Sequence, residues 1–227
     1  MTQAVVFDVD GVLIDSFAIV YKVRTGLLAQ HGVDIREVPD PYGESHKGSS
    51  ARKLLQALRQ SHGVSVDEQQ FKRDTIDGVK RDMEHSGIEA DPELIRFLED
   101  LRVHNIPCAI ATSGSRESTY NKLRFLGLEK YFQAIVTADD VEQHKPDPEL
   151  YLTAMNKLGV SPKNCVVFED SGIGAEAGRR SGAYVIGFTK YISPKAPVEN
   201  ANITIDGWQD INYEKLSNLD DWPVNKG

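Results

Sequence analysis

The sequence predicts an α/β protein: a parallel sheet with crossover helices, interrupted by one helical insert. Three observations carry this. Short apolar runs alternate with longer amphipathic ones. About a hundred residues separate the first two strand-like runs, far more than a crossover needs. Polar, chemistry-bearing residues follow closely on four of the apolar runs, and in an open parallel sheet that is where ligands bind.

The first run, AVVF at 4–7, is apolar throughout, with Val5, Val6 and Phe7 β-branched or aromatic, and suits a strand buried on both faces. The spacing predicts further strands over 107–111, 134–137, 165–168 and 183–188. Helices are expected over 91–104, 116–126, 148–158 and 174–181, with Gly127, Gly159 and Gly182 as stops for the last three. Within the long gap, 17–30, 50–61 and 67–81 are helix-like and none reads as a strand. A core of 1–16 and 88–227 and a helical unit of 17–87 are therefore expected, joined by the turn-rich stretches 11–16 and 86–92. A surface loop at 193–202 should lead to a last short strand and helix.

The 227-residue chain is 40% hydrophobic and 26% charged, an ordinary globular composition. Its net charge of −8 argues against a sequence-independent grip on nucleic acid. No run approaches the ~18 apolar residues of a membrane span, and Asp8 interrupts the N-terminal apolar run, so a secretory leader is not read there. Cys108 and Cys165 sit in apolar runs and read as buried thiols of a reducing compartment. A cytoplasmic monomer is the expectation, with no nucleic-acid or membrane partner.

The strand ends propose the chemistry. Asp8 and Asp10 follow the first strand, and alternation would put both on one side if the strand continued. Thr112 and Ser113 follow the second, Lys145 comes after the third, and Glu169 and Asp170 follow the fourth. Two acid pairs could hold a hard cation such as Mg²⁺. The Thr112 hydroxyl and the following N–H groups could cradle phosphate, with Lys145 as a positive charge for phosphoryl group and carboxylate. One carboxylate could then serve as nucleophile through an aspartyl-phosphate and the other as acid, then base. Taken singly each motif has a plainer reading: solvated acids at a strand end, a turn at Thr112–Ser113, a solvated Lys145, a helix cap at Glu169–Asp170. Those plainer readings would have to hold at all four strand ends together.

FDVDG at the first strand, the Thr of ATS, the Lys of KPDP and the ED of FEDSGIGAEAGRRSGA together resemble the haloacid dehalogenase superfamily. The ED pair and the early helical insert are similar to the subgroup of β-phosphoglucomutases and small sugar-phosphate phosphatases. The resemblance implies a Rossmann-like parallel sheet flanked by helices, with the insert as a mobile helical cap. It also implies Mg²⁺ as cofactor and a small phosphorylated metabolite as substrate. Asp8 would be nucleophile and metal ligand, and Asp10 the acid–base group, binding metal through its carbonyl. Thr112, Ser113 and Lys145 would bind phosphate, and Glu169 and Asp170 would complete the metal shell. In HKGSSARKLL, Lys47, Ser50 and Arg52 resemble a substrate-reading loop and equally fit a solvated helix start. Val20 stands where the mutases carry a histidine, which favours water as phosphoryl acceptor and hence a phosphatase over a mutase. A dehalogenase has no need of Asp10 with Glu169 and Asp170, a transport ATPase would need membrane spans, and a silent binding module would show degenerate motifs.

Overall fold

The computed structural model describes residues 2–37, 51–192 and 195–219. Six strands form one sheet: β1 (Ala4–Phe7), β2 (Cys108–Ala111), β3 (Ala134–Val136), β4 (Cys165–Glu169), β5 (Tyr184–Phe188) and β6 (Ile203–Ile205). Their order is β3-β2-β1-β4-β5-β6, and every neighbouring pair is parallel. The α/β class expected from the alternation is the one observed. From β1 the chain adds β2 and β3 on one side, then crosses back to place β4 on the other. That reversal at β1 is the switch point where open α/β sheets bind ligands.

The register turns three distant segments into one row. Phe7 lies opposite Ile110 and Phe168, so Asp8, Ala111 and Glu169 come next at the carboxyl edge. The Asp8 N–H donates to the Phe168 carbonyl at 3.0 Å, which fixes the first residue past β1.

Both faces of the sheet are covered, which is why the strands read as unbroken apolar runs. Val6, Ala109 and Val167 pack with Leu150, Tyr151, Ala154 and Met155 of α6 (Glu149–Leu158) and with Ala175 and Ala177 of α7 (Gly172–Ser181). The alternate residues Phe7 and Phe168 stack at 5.2 Å and meet Phe97 of α4 (Pro92–Val103) and Trp208. Each such side chain, fully buried, contributes about 1.5–3 kcal/mol. A further helix, α5 (Arg116–Phe125), follows β2, and the short α8 (Tyr213–Ser217) comes last.

Residues 16–88 form a second compact unit, separate from that of 1–15 and 89–227. It contains α1 (Ser16–Ala29), α2 (Ala51–His62) and α3 (Glu68–Ser86). Helix α3 runs five residues past the end expected from sequence. Phe71, Thr75, Val79 and Met83 recur every fourth residue as its buried stripe, and Gly87 at φ 65° ends it. Helices α1 and α3 approach closely at Gly78, where a Cβ would lie 2.5 Å from Val23.

Candidate active site

Asp8 sits one residue past β1, and two residues on from Val6 its side chain continues the row that faces α6. It is 6% exposed. Glu169, the last residue of β4, continues the Val167 row in the same way and is 1% exposed. Between them lies the Lys145 ammonium, 2.8 Å from Asp8 Oδ1, 2.6 Å from Glu169 Oε1 and 3.2 Å from the Ala111 carbonyl. The loop carrying Lys145 is tied down on both sides. Glu149 accepts from the backbone of Glu142 and Gln143, and Arg180 donates to the Pro146 carbonyl at 2.8 Å.

Glu169 spends both oxygens on hydrogen bonds. Oε1 accepts from Lys145 and, at 2.7 Å, from the hydroxyl of the fully buried Tyr151, while Oε2 accepts from the N–H and hydroxyl of Ser171. This arrangement requires Gly174 in the first turn of α7, since a Cβ there would fall 1.9 Å from Glu169 Oε1. The ring of Tyr151 also lies under Lys145, 4.8 Å from its ammonium.

Asp10 has a different cation. After Asp8 the chain leaves the strand and folds into a tight turn, in which the N–H groups of Val12, Leu13 and Ile14 converge on the Val9 carbonyl. Asp10 Oδ1 accepts from Lys122 of α5 at 2.5 Å. The two aspartates are thus held by separate lysines from separate elements. Thr112 is buried past β2, and its hydroxyl accepts from the Gly114 N–H at 3.1 Å, closing a turn. Ser113 in that turn is exposed. Asp170, next to Glu169, is buried.

The electrostatics follow from burial. Desolvation pushes the Asp8 carboxyl from 3.8 up to about 7. Lys145 opposes that, and the nearby Glu169 and Asp10 add to it. Burial also works to raise Glu169, but Lys145, Tyr151 and the Ser171 N–H outweigh it and hold the carboxyl below its usual range. Burial works to lower Lys145, yet Asp8 and Glu169 keep it charged and raise it. The Tyr151 hydroxyl is driven well above its ordinary value by burial and by the adjacent Glu169.

Asp8, Asp10, Glu169 and Asp170 against Lys122 and Lys145 leave two excess negative charges when all are ionised. A hard divalent cation matches that excess and the all-oxygen donor type. Among the described residues, no three His, Cys, Asp or Glu side chains are already gathered as a metal cluster. The fit to Mg²⁺ therefore rests on charge and donor chemistry.

Of the residues singled out from sequence, Asp8, Lys145 and Glu169 form one hydrogen-bonded group, with Asp10, Thr112 and Asp170 at the same sheet edge. Lys47 and Ser50 lie outside the described residues, as does the side chain of Arg52. Val20 is half-buried in α1. Three site residues do not stand out in the sequence: Lys122, Tyr151 and Gly174. Tyr151 reads in sequence as one more core aromatic of α6. Lys122 carries a faint signal, since it falls beside Leu123 and three residues after Thr119 on the buried stripe of α5.

The parallel sheet with polar groups gathered at its carboxyl edge is of the Rossmann-like type, and residues 5–188 match the haloacid dehalogenase-like hydrolases. The chain belongs to that family. It is 33% identical to a phosphorylated carbohydrates phosphatase of Thermotoga maritima, over 79% of this chain and 82% of that protein. It is 30% identical to a fructose-1-phosphate phosphatase of Escherichia coli, over 78% and 91%. Among solved structures it resembles a putative β-phosphoglucomutase from Thermotoga maritima, with TM-score 0.71, 27% identity and coverage of 96% and 98%. Within the family the chain is a phosphoric monoester hydrolase.

Proposed function

We propose that this chain hydrolyses a small phosphate monoester, a sugar phosphate or a similar metabolite, with Mg²⁺ and through an aspartyl-phosphate on Asp8. The observation that carries the reading is the Lys145 ammonium held between Asp8 and Glu169 at the switch point of the sheet. Lys145 steadies the attacking carboxylate and offers charge to the phosphoryl oxygens. Thr112 and the turn after it are the phosphate cradle, with Ser113 at its exposed side. Asp8 Oδ attacks phosphorus, the ester P–O bond breaks, and the departing oxygen takes a proton from Asp10. Water then attacks the phosphorus of the acyl phosphate and gives its proton to the Asp10 carboxylate. Inorganic phosphate leaves and Asp8 is restored. A bound Mg²⁺ would be held by Asp8, the Asp10 carbonyl and Asp170, with Glu169 beside them, and would offset phosphoryl charge.

The mutase reading draws support from the structural likeness to a putative β-phosphoglucomutase. Val20 weighs against it, because an apolar side chain cannot hold a sugar hydroxyl for attack. The names of the relatives support sugar phosphates as the substrate class. Among the described residues no helix is long and apolar enough to cross a membrane. Both cysteines are buried free thiols, which supports a reducing compartment such as the cytoplasm. A panel of phosphorylated metabolites, assayed for phosphate release with Mg²⁺ and with EDTA, tests the proposal. Release from none of them with Mg²⁺ present, or undiminished release in EDTA, would count against it.

A further inference from the structure

Lys122 is an unusual residue for the buried stripe of a helix, which it shares with Thr119 and Leu123. Its side chain is 7% exposed, and it reaches 112 residues back in sequence to Asp10. A buried ammonium is tolerated only where an anion meets it, and here that anion belongs to the acid–base group of the proposed reaction.

Lys122 takes Oδ1 of Asp10. The other oxygen, Oδ2, lies 3.7 Å from where a Gly114 Cβ would stand, and the Thr112 hydroxyl lies 3.5 Å from that same point. Oδ2 is therefore turned toward the Thr112–Gly114 turn, where the phosphoryl group would be read. Helix α5 leaves that turn directly, with Ser115 as its N-cap. It is also fastened to the turn after β3, since the Arg116 N–H donates to Asp139 at 2.7 Å and the Arg116 guanidinium pairs with Asp140. One anchored helix thus carries the lysine that fixes Asp10, and it begins at the loop that Asp10 must face.

We infer that Lys122 is a positioning residue: by holding Oδ1 it aims Oδ2 of Asp10 at the ester oxygen that departs from phosphorus. The inference rests on the reading of Asp10 as acid–base group. In the first half-reaction the proton passes from the Asp10 carboxyl to the leaving oxygen as the P–O bond breaks. In the second it returns to the carboxylate from water. Lys122 exchanges no proton in either.

The test compares kcat/KM across substituted phenyl phosphates and glycerol 2-phosphate, with Mg²⁺, for wild type, Lys122→Met, Lys122→Arg and Asp10→Asn. This quantity covers the steps through departure of the leaving group, so its dependence on leaving-group pKa reads proton donation. A positioning role predicts a steeper dependence for Lys122→Met, with a loss on glycerol 2-phosphate about tenfold greater than on 4-nitrophenyl phosphate. Lys122→Arg, which keeps the cation and its reach, should return toward the wild-type slope. An equal loss across the series, which a merely structural lysine would give, overturns the inference. So does a Lys122→Arg slope as steep as that of Lys122→Met. If Asp10→Asn steepens the dependence and Lys122→Met does not, only the role of Lys122 falls. If Asp10→Asn leaves the slope unchanged, the acid–base reading falls and this inference with it. Should Lys122→Met fail to fold, Lys122→Gln serves for the same slope.

Discussion

Replacing Asp8 by Asn should stabilise the metal-free protein, and more so at high pH. Asp8 is buried beside Glu169 and Asp10, and its carboxyl is raised from 3.8 to about 7 even with Lys145 in contact. A group raised on folding contributes stability that is complete below its unfolded pKa and is lost as pH rises through the folded one. Between those two values each pH unit costs about 1.4 kcal/mol. Relative to a neutral isostere, ionisable Asp8 therefore costs about 2 kcal/mol at pH 5 and about 4 kcal/mol at pH 8. The amide of Asn is such an isostere, and Lys145 keeps its contact with Glu169 at 2.6 Å. Urea unfolding of both proteins in EDTA, at pH 5 and pH 8, measures the difference directly. The variant should be the more stable at both, with the gap between about 2 and 3 kcal/mol wider at pH 8. A gap that is constant with pH, or a variant less stable than wild type at pH 8, would refute the reasoning that Asp8 is held against its own charge.

Further outcomes follow from the same contacts. Tyr151→Phe removes one donor from the buried Glu169 carboxylate and should cost about 1.5–3 kcal/mol in chemical denaturation, with slower phosphate release. A cost near zero would mean that the hydroxyl does not hold Glu169. Gly174→Ala drives a Cβ into Glu169 and should destabilise by about 1–3 kcal/mol, whereas Gly26→Ala, with nothing within 4 Å in α1, should stabilise by about 1 kcal/mol. Thermal unfolding of the pair checks both signs. Given a hexose 1-phosphate, the enzyme should yield free sugar and inorganic phosphate, and adding a hexose bisphosphate should not shift the product to the 6-phosphate. Such a shift would establish a mutase.

What was legible in the sequence was whatever local pattern dictates. The strands β1, β2, β4 and β5 stand within a residue of where their apolar runs put them, because a strand buried on both faces can be little else. Asp8, Lys145 and Glu169 were legible as a group because the carboxyl edge of a parallel sheet gathers the strand ends and the loops that follow them. The lysine of Asp10 was not. Pattern says that Lys122 and Tyr151 lie on inward faces of α5 and α6, but not which distant group each inward face meets. Pairing across 112 residues is settled by the tertiary fold, and sequence spacing carries no trace of it. Helix α3 outlasts its sequence pattern for a local reason: the polar run from Arg81 to Ser86 conceals the single buried Met83 that carries the stripe on to Gly87.

The most direct test of the account is to trap the phosphorylated enzyme. The protein is mixed with Mg²⁺ and a radiolabelled phosphate monoester that it turns over, quenched in acid within the first turnovers, and digested. The account predicts label on the peptide containing Asp8, released by hydroxylamine as an acyl phosphate must be, and absent from Asp8→Asn. Label on any other residue, or turnover with no labelled enzyme at any quench time, would contradict it.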